Sequence, residues 1–294
     1  MMSKPVKLPV KPPYYLGLPM WANRQWLGSL YPRGANSKNL LQHYASVFNT
    51  VEGNTTFYAL PTVATVASWK QQVSADFRFC FKFPRKITHE NALRYCGVEV
   101  GDFLKRLEPL AENIGAFMIQ LPDSFEPKQL GDLKRFLKAL PNDFQYSVEV
   151  RHLDFFNRGE EEIELNRLLK EQRVDRVCLD SRALFSRPAS TEEERDAHRK
   201  KPKLPVHAIA TAVNPIIRFI GSADIYHNEQ YLVPWFNKIV EWQQRGITPT
   251  IFIHTPDNLT APEQATMFHQ MLKNLPGWQP LSKIIKDEAQ LDIF

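Results

Sequence analysis

Charged and polar side chains follow short apolar segments along this sequence, and their types suit the binding and hydrolysis of an anion. The candidate catalytic groups are three carboxylates and one imidazole: Glu52, Glu149, Asp180 and His89. The candidate substrate-binding residues are mostly cations and amides: Trp21, Asn54, Lys82, Gln120, Arg151, His152, Arg182 and Arg218. Because a charge beside apolar surface is costly unless it is paired, this placement indicates a polar cavity at one end of the fold.

The same residues also allow purely structural roles. Glu149 paired with Arg151 or Arg218 would close one end of the fold as an ion-pair network without binding a ligand. His89 and His152 suit proton transfer, but each could equally be a hydrogen-bonded structural histidine. Trp21 belongs to an aromatic group that could stack on a sugar or base, although packing in the core is the more frequent role.

A divalent metal is a candidate cofactor, since carboxylate and imidazole groups suit Mn²⁺, Mg²⁺ or Zn²⁺. The candidate ligands are Glu52, Glu149, Asp180 and His254. Neighbouring Lys82, Arg151 and Arg218 would compete for the same carboxylates, so metal-free binding of an anion is an equal alternative. The sequence therefore leaves the cofactor unknown.

Eight short apolar segments, most of them followed by a helix-like pattern, would position these residues. The predicted strands are Tyr14–Leu18, Phe48–Asn54, Arg78–Phe83, Ala116–Leu121, Tyr146–Val150, Val174–Asp180, Ile216–Gly221 and Thr250–His254. This alternation predicts an α/β fold with a parallel sheet, and eight repeats predict a single TIM-type (β/α)8 barrel of roughly 250 residues. The C-terminal ends of barrel strands meet at one mouth, so we expect the candidate residues to converge there.

The helices and tails complete this prediction. The predicted helices are Ser37–Ser46, Thr62–Gln72, Glu99–Asn113, Pro127–Leu140, Glu160–Gln172, Glu229–Arg245 and Ala261–Leu275. A long charged connection between strands six and seven, Leu184–Ala210, is either a functional or mobile loop or a solvated charged helix. The barrel domain spans residues 14–276, between a flexible Lys/Pro-rich tail at 1–13 and a polar C-terminal tail at 277–294.

Composition restricts the function classes. The chain has 294 residues, of which 43% are hydrophobic and 23% charged, as in ordinary globular proteins. Its net charge of +5 is compatible with binding to nucleic acid or to a phosphorylated small molecule. The same charge is found in soluble basic proteins that bind neither. Its three cysteines form no paired framework, and neither a signal peptide nor a membrane-length apolar run is present. We therefore expect a cytoplasmic protein without a membrane partner.

Common catalytic motifs are absent from the sequence. It contains neither the phosphate-binding G-x-x-x-x-G-K-[ST] loop nor the dinucleotide-binding G-x-G-x-x-G pattern. It also lacks the H-E-x-x-H motif of zinc proteases and the G-x-S-x-G motif of serine hydrolases. Any activity must therefore come from residues scattered over several strands.

The last five residues are similar to the short peptide with which bacterial proteins bind the DNA sliding clamp. They are Gln290, Leu291, Asp292, Ile293 and Phe294. In such a peptide the apolar side chains enter a hydrophobic cleft while the glutamine supplies hydrogen bonds. The DNA sliding clamp is therefore a candidate partner, and the alternative is that the tail folds back on the protein itself.

Several segments together resemble the YecE-like family, also called domain of unknown function 72. They are Gly17–Trp21, Val51–Tyr58, Phe79–Pro84 with Thr88–His89, Gln120–Pro122, Val148–His152, Leu179–Arg182 and Arg218–Gly221. Arg195–Ala208 and Phe252–Asp257 are similar to its enterobacterial branch. The resemblance implies a TIM-type barrel and no assigned reaction. Gly53 stands where many members have an aliphatic residue, and many members end the eighth strand in asparagine pairs where this chain has His254–Asp257.

The leading hypothesis is an enzyme that acts on a phosphate-bearing or nucleic-acid substrate at the barrel mouth. Hydrolysis is the favoured reaction class. In this hypothesis the C-terminal tail recruits the protein to the sliding clamp. A metal-dependent hydrolase is one form of it. The alternatives are a metal-free enzyme of small-metabolite chemistry and a non-catalytic binding module in DNA maintenance.

Overall fold

The computed structural model describes residues 12–282, in which short strands alternate with helices around an apolar core. The strands are β1 (Tyr15–Gly17), β2 (Thr50–Gly53), β3 (Arg78–Lys82), β4 (Ile114–Gln120), β5 (Tyr146–Glu149), β6 (Asp175–Arg176), β7 (Cys178–Asp180), β8 (Ile216–Ile220) and β9 (Thr250–His254). The helices are α1 (Leu40–Ala45), α2 (Thr55–Tyr58), α3 (Val63–Gln72), α4 (Gly97–Leu107), α5 (Leu130–Ala139), α6 (Glu160–Gln172), α7 (Glu192–Lys200), α8 (Glu229–Gln244) and α9 (Ala261–Met271). The pentapeptide Gln290–Phe294 and most of the N-terminal tail lie outside the described residues.

The strands form two parallel sheets. One has the order β2-β3-β4-β5-β6 and the other the order β1-β9-β8-β7. Within residues 12–282 neither sheet closes on itself. The parallel α/β class is therefore confirmed, whereas the closed eight-stranded barrel is not.

The predicted sixth strand is divided between the two sheets. Its first part, β6, pairs with β5, and its second part, β7, pairs with β8. The amide of Arg176 donates to the hydroxyl of Thr211 at 2.8 Å, so at this point a side chain takes the place of a neighbouring strand. The amide of Val177 still donates to the carbonyl of Val148 at 2.9 Å, so the hydrogen bonding passes to the second sheet only at Cys178.

The other junction between the sheets lies between β1 and β2. The amide of Glu52 donates to the carbonyl of Leu18 at 3.1 Å. The hydroxyl of Tyr44 accepts from the amide of Leu18 at 2.7 Å and donates to the carbonyl of Thr50 at 2.9 Å. A Cβ atom at Gly17 would lie 2.0 Å from this same carbonyl oxygen. The two strands therefore approach too closely for any side chain at Gly17.

The strands alternate between an inner face shared by both sheets and an outer face under the helices. A small apolar cluster draws inner-face residues from both sheets: Cys80, Ala116, Met118, Val177, Ile216 and Phe252. On the outer face, Phe79 and Phe81 stack 5.0 Å apart, and Phe81 also stacks on Trp69 of α3. Because side chains alternate along a strand, the register decides which polar residues face inward.

Sequence signals explain several helix ends. Thr62 caps α3 by accepting from the amide of Thr65, and Pro262 lies in the first turn of α9. The predicted helix Glu99–Asn113 ends as α4 at Leu107 and continues as a 3-10 turn that contains Pro109. No helix within residues 12–282 has the length and apolar character that crossing a membrane requires.

The long charged connection contains helix α7, which agrees with the helical alternative for this segment. Thr191 caps it by accepting from the amide of Glu194 at 3.2 Å. Its first turn is acidic and its last turn basic, which suits the helix dipole. Ala197 of α7 packs on the inner-face residues Leu179 and Ile220. The connection therefore lies against the ends of β7 and β8.

Candidate functional site

Arg218 lies at the centre of a buried polar cluster at the C-terminal ends of the strands. Its Nε and Nη2 atoms donate to the two carboxylate oxygens of Glu52 at 2.8 and 2.9 Å. Its Nη1 atom donates to Glu149 Oε2 at 2.6 Å. Arg218 therefore links β8 of one sheet to β2 and β5 of the other. The mouth cluster comprises Glu52, Lys82, Gln120, Glu149, Arg151, Arg218 and His254.

The strand register explains why these side chains meet. Glu52 lies beside Cys80 in the ladder, and Arg218 lies beside Phe252. Both of these neighbours belong to the inner-face apolar cluster. Glu149 pairs with Gln120, which is two residues after the inner-face residue Met118 and so projects from the same face.

A second set of contacts extends the mouth cluster around Arg218. Lys82 Nζ lies 3.2 Å from Glu52 Oε1 and donates to Gln120 Oε1 at 2.8 Å. Arg151 Nε and Nη2 both donate to Glu149 Oε1, at 2.9 and 2.8 Å. Every member except Arg151 is buried, and 21% of the Arg151 side chain is exposed. Arg151 is therefore the member most open to an incoming ligand.

Opposite charges keep both carboxylates ionised despite their burial. Burial alone would raise the pKa of Glu149, but the charges of Arg218 and Arg151 lower it to about 2. Burial would likewise raise the pKa of Glu52, but Arg218 and Lys82 hold that pKa well below its usual range. Burial and the neighbouring Arg218 lower the pKa of Lys82 to about 8. At pH 7 these charges are therefore present together.

His254 is the ionisable member of the mouth cluster that carries no charge at neutral pH. Its Nε2 atom lies 3.3 Å from Glu52 Oε2. Burial lowers the pKa of His254 to about 4, although Glu52 acts in the opposite direction. The imidazole is therefore uncharged at pH 7 and stabilises Glu52 as a hydrogen-bond donor.

Lys201 is a fourth cation at this site, and the candidate residues chosen from the sequence did not include it. It follows α7, and its side chain is close enough to Arg218, Glu52 and Arg151 for their charges to act on it. Burial and the charge of Arg218 lower its pKa. In the sequence, Lys201 is marked only by its position in the basic segment Arg199–Lys203. Such a segment is equally typical of an exposed helix end.

His89 lies at the edge of the site. Its Nδ1 atom is 2.9 Å from the hydroxyl of Thr88, and its ring packs edge-on against Phe57 at 5.1 Å. Burial and the positive charge of Arg151 lower the pKa of His89. A half-buried, neutral imidazole beside Arg151 can accept a proton from a bound water or ligand.

Asp180 and Arg182 are not brought to the mouth cluster. Leu179, not Asp180, lies beside Arg218 in the ladder, so Asp180 projects from the outer face. Its Oδ2 atom accepts from Trp235 Nε1 of α8 and from Arg182 Nη2, both at 2.8 Å. The bond from Trp235 fixes α8 to the end of β7, and both Asp180 and Arg182 therefore have partners outside the mouth cluster.

Three other predicted site residues also lie apart from the mouth cluster. Trp21 packs edge-on against Trp69 at 5.3 Å, which is core packing. Asn54 donates to the carbonyl of Pro19 at 2.8 Å, and His152 pairs with Asp154 at 3.5 Å. Each of these contacts accounts for its residue without a ligand.

Gly53 has a packing role at the end of β2. A Cβ atom at this position would lie 2.3 Å from Cδ1 of Phe81. The missing side chain therefore makes room for the Phe81 ring over the strand, and Gly53 itself is fully buried.

The predicted metal ligands do not form a metal site. Glu52 and Glu149 already accept charged hydrogen bonds from Arg218, and Asp180 projects from the outer face. Within residues 12–282 no group of three or more His, Cys, Asp and Glu side chains is arranged to hold a metal ion. The cations of the mouth cluster suit an anionic ligand instead.

Comparison with known proteins identifies the family. The model of a family of proteins of unknown function, DUF72, matches residues 15–284. The chain belongs to the DUF72 family. It is 49% identical to UPF0759 protein YecE of Escherichia coli K12 over 263 residues, which cover 89% of this chain and 94% of that protein. The same protein from Escherichia coli O157:H7 is 48% identical over the same length.

Two crystal structures of DUF72 family proteins share the fold of this chain. The one from Thermotoga maritima superposes with a TM-score of 0.66 at 21% identity and covers 89% of this chain and 99% of its own. The one from Enterococcus faecalis superposes with a TM-score of 0.67 at 20% identity and covers 90% and 98%. These comparisons establish family and fold.

Proposed function

We propose that this DUF72 protein binds a phosphate-bearing ligand at the mouth cluster and hydrolyses it. One observation carries the proposal. Within residues 12–282, four cations, Lys82, Arg151, Lys201 and Arg218, lie around two carboxylates, Glu52 and Glu149. Because uncompensated positive charge is costly in a buried site, the surplus favours an anion as the missing partner.

The two carboxylates position the cations in this proposal. Glu149 holds Arg151 and Arg218 at adjacent points, and Glu52 holds Arg218 and Lys82. Such fixed donors need no rearrangement when a negatively charged ligand or transition state forms between them. His89, whose Nδ1 faces Thr88, is the general base that activates the attacking water with its other ring nitrogen.

The proposed site requires the two sheets to act as one barrel wall. A backbone hydrogen bond at each junction supports this: Glu52 to Leu18 at one, and Val177 to Val148 at the other. The apolar cluster shared by both sheets fills the space beneath the mouth cluster. We therefore infer a TIM-type enclosure with eight strand positions, in which β6 and β7 together occupy one.

Binding of simple phosphates tests the proposal directly. The affinity of the full chain for inorganic phosphate, pyrophosphate and a short single-stranded DNA would be measured by calorimetry at low salt. Arg151→Gln is expected to weaken phosphate binding at least tenfold. Arg182→Gln, which also removes an arginine at a strand end, is the matched control and should bind normally. If no phosphate probe binds, or if both variants bind alike, the proposal is wrong.

Turnover tests the hydrolytic part of the proposal. Release of p-nitrophenol from p-nitrophenyl phosphate and from bis(p-nitrophenyl) phosphate would be followed across pH. His89→Ala is expected to lose turnover while it keeps its affinity for phosphate. Binding without turnover in the wild type would favour the alternative of a non-catalytic module.

The proposed partner is the DNA sliding clamp, and the sequence Gln290–Phe294 supports it. We expect the full chain to bind a bacterial sliding clamp and a chain without Leu291–Phe294 to lose that binding. Surface plasmon resonance with immobilised clamp would measure both. Clamp binding would place the protein in DNA replication or repair and make nucleic acid the favoured phosphate-bearing ligand. Equal or absent binding of both chains would remove this partner and favour small phosphorylated metabolites.

A further inference from the structure

Lys201 differs from the other cations at the mouth because the part of the chain that the structure describes gives it no acidic partner. Lys82, Arg151 and Arg218 each contact a carboxylate of the mouth cluster. Within the described residues 12–282, no carboxylate oxygen lies within 4.0 Å of Lys201 Nζ. Lys201 is half-buried, and a partly desolvated ammonium group without a partner costs free energy, so its position needs an explanation.

The surrounding structure holds Lys201 in this position. Its amide donates to the carbonyl of Ala197 at 2.8 Å and so closes the last turn of α7. The carbonyl of the next residue, Pro202, accepts from the hydroxyl of Ser181 at 2.8 Å. Leu204 is buried in the apolar cluster that also contains Ala197. Contacts on both sides therefore fix the backbone of this segment at the ends of β7 and β8, within range of the charges of the mouth cluster.

Charged groups of the mouth cluster act on Lys201: Arg218, Glu52, Arg151 and Glu149. The mouth cluster supplies three cations and two carboxylates, and His254 is neutral at pH 7. At the edge near His89, Arg85 and Asp123 add one exposed charge of each sign. With Lys201 included, the described residues give the site two positive charges more than negative charges.

We propose that Lys201 is a ligand-binding residue of this site and that it selects a phosphate monoester, whose phosphate group is a dianion at neutral pH. A monoester carries close to two negative charges at pH 7, since its second pKa is about 6. A phosphodiester carries one, so it would leave one cation without a partner. This inference rests on the proposed function, because it names the phosphate class that the mouth cluster accepts.

Paired probes test the selectivity. Calorimetry at pH 7.2 and low salt would compare phenyl phosphate, a dianion, with methyl phenyl phosphate, a monoanion of similar shape. The wild type is expected to bind phenyl phosphate at least tenfold more tightly. Lys201→Gln should lose most of this preference, and Lys201→Arg should retain it, because the charge is kept.

Lys203→Gln is the matched control. Lys203 is exposed two residues further along the same segment, with its Nζ 5.7 Å from the ring centre of Phe185. Its removal changes the net charge of the protein by the same amount but leaves the site intact, so the preference for phenyl phosphate should remain. Circular dichroism would confirm that all variants are folded.

The source of the monoester would be distinguished by two further ligands. Tighter binding of a single-stranded oligonucleotide with a 5′-phosphate than of one with a 5′-hydroxyl would indicate the end of a nucleic acid. Binding of ribose 5-phosphate as tight as that of phenyl phosphate would indicate a small metabolite. Either result supports the monoester.

The outcomes separate this inference from the proposed function. If both phosphate probes bind equally, or if Lys201→Gln leaves the preference unchanged, the role of Lys201 is refuted while phosphate binding stands. If neither probe binds the wild type, the proposed function and this inference are both wrong.

Discussion

Replacing Glu149 by glutamine should destabilise the protein strongly at neutral pH and hardly at all at low pH. The amide keeps the size of the side chain but removes the charge that holds Arg218 at 2.6 Å and Arg151 at 2.8 Å. In the folded protein the pKa of Glu149 is lowered from 4.5 to about 2, because its charged partners outweigh its burial. The ionised carboxylate therefore stabilises the folded state.

The magnitude follows from this difference in pKa. Since a tenfold change in acid dissociation corresponds to about 1.4 kcal/mol, the ionised form contributes about 3 kcal/mol at pH 7. This value agrees with the typical cost of removing one partner of a buried ion pair, which is about 3–5 kcal/mol. The contribution is complete above pH 4.5 and disappears as the pH falls towards 2, because the wild-type carboxyl is then protonated and resembles the amide.

Urea unfolding at pH 7, 4 and 2.5 would measure the effect. The free energy of unfolding of Glu149→Gln should be about 3 kcal/mol lower than that of the wild type at pH 7, and the difference should narrow as the pH falls. Glu164→Gln, an exposed position in α6, is the control and should change stability by less than about 0.5 kcal/mol. A difference for Glu149→Gln that is small at pH 7, or that does not depend on pH, would refute the reasoning.

Three further substitutions probe other parts of the fold. Asp175→Asn should show the opposite pH dependence. Burial raises the pKa of Asp175 to about 7, so ionisation of this carboxyl destabilises the folded protein as the pH rises. Between pH 5 and pH 8 in urea unfolding, the free energy of unfolding of the variant should therefore rise by roughly 2–3 kcal/mol relative to that of the wild type. In the same assay, Gly17→Ala should lower the free energy of unfolding by about 1–3 kcal/mol or more, because its Cβ would lie 2.0 Å from the carbonyl oxygen of Thr50. Unchanged stability would contradict the close approach of β1 and β2. Asp180→Asn should lower thermal stability, because it weakens the hydrogen bond from Trp235, but it should leave phosphate affinity unchanged. A loss of phosphate affinity would show that Asp180 contributes to ligand binding.

Much of the fold was predictable because it depends on local patterns. The apolar segments and helix signals predicted the strand–helix alternation, and α6 has the predicted ends Glu160 and Gln172. The charged segment after Thr191 forms a helix because it has a capping residue and charges that suit the helix dipole. The closed barrel was not confirmed, because hydrogen bonding at Arg176 is taken over by Thr211, and no local pattern shows this.

The candidate site was predicted in part. Residue type and position at strand ends indicated Glu52, Lys82, Glu149 and Arg218, and the structure brings these side chains together. Position at a strand end was a weaker guide for Asp180, because its direction depends on which residue of β7 lies beside Arg218. The sequence could not distinguish a residue that ends a strand on the inner face from one on the outer face.

The sequence by itself determined the family, the parallel α/β class and the set of charged residues available near the strand ends. Local periodicity and residue type carry this information, since neighbouring residues decide helix, strand and cap. The tertiary structure alone decided which charges are paired. Arg218 meets Glu52 across 166 positions of sequence, and Lys201 comes near the same charges from a different element. Such long-range contacts depend on strand register and helix packing, which no short segment encodes.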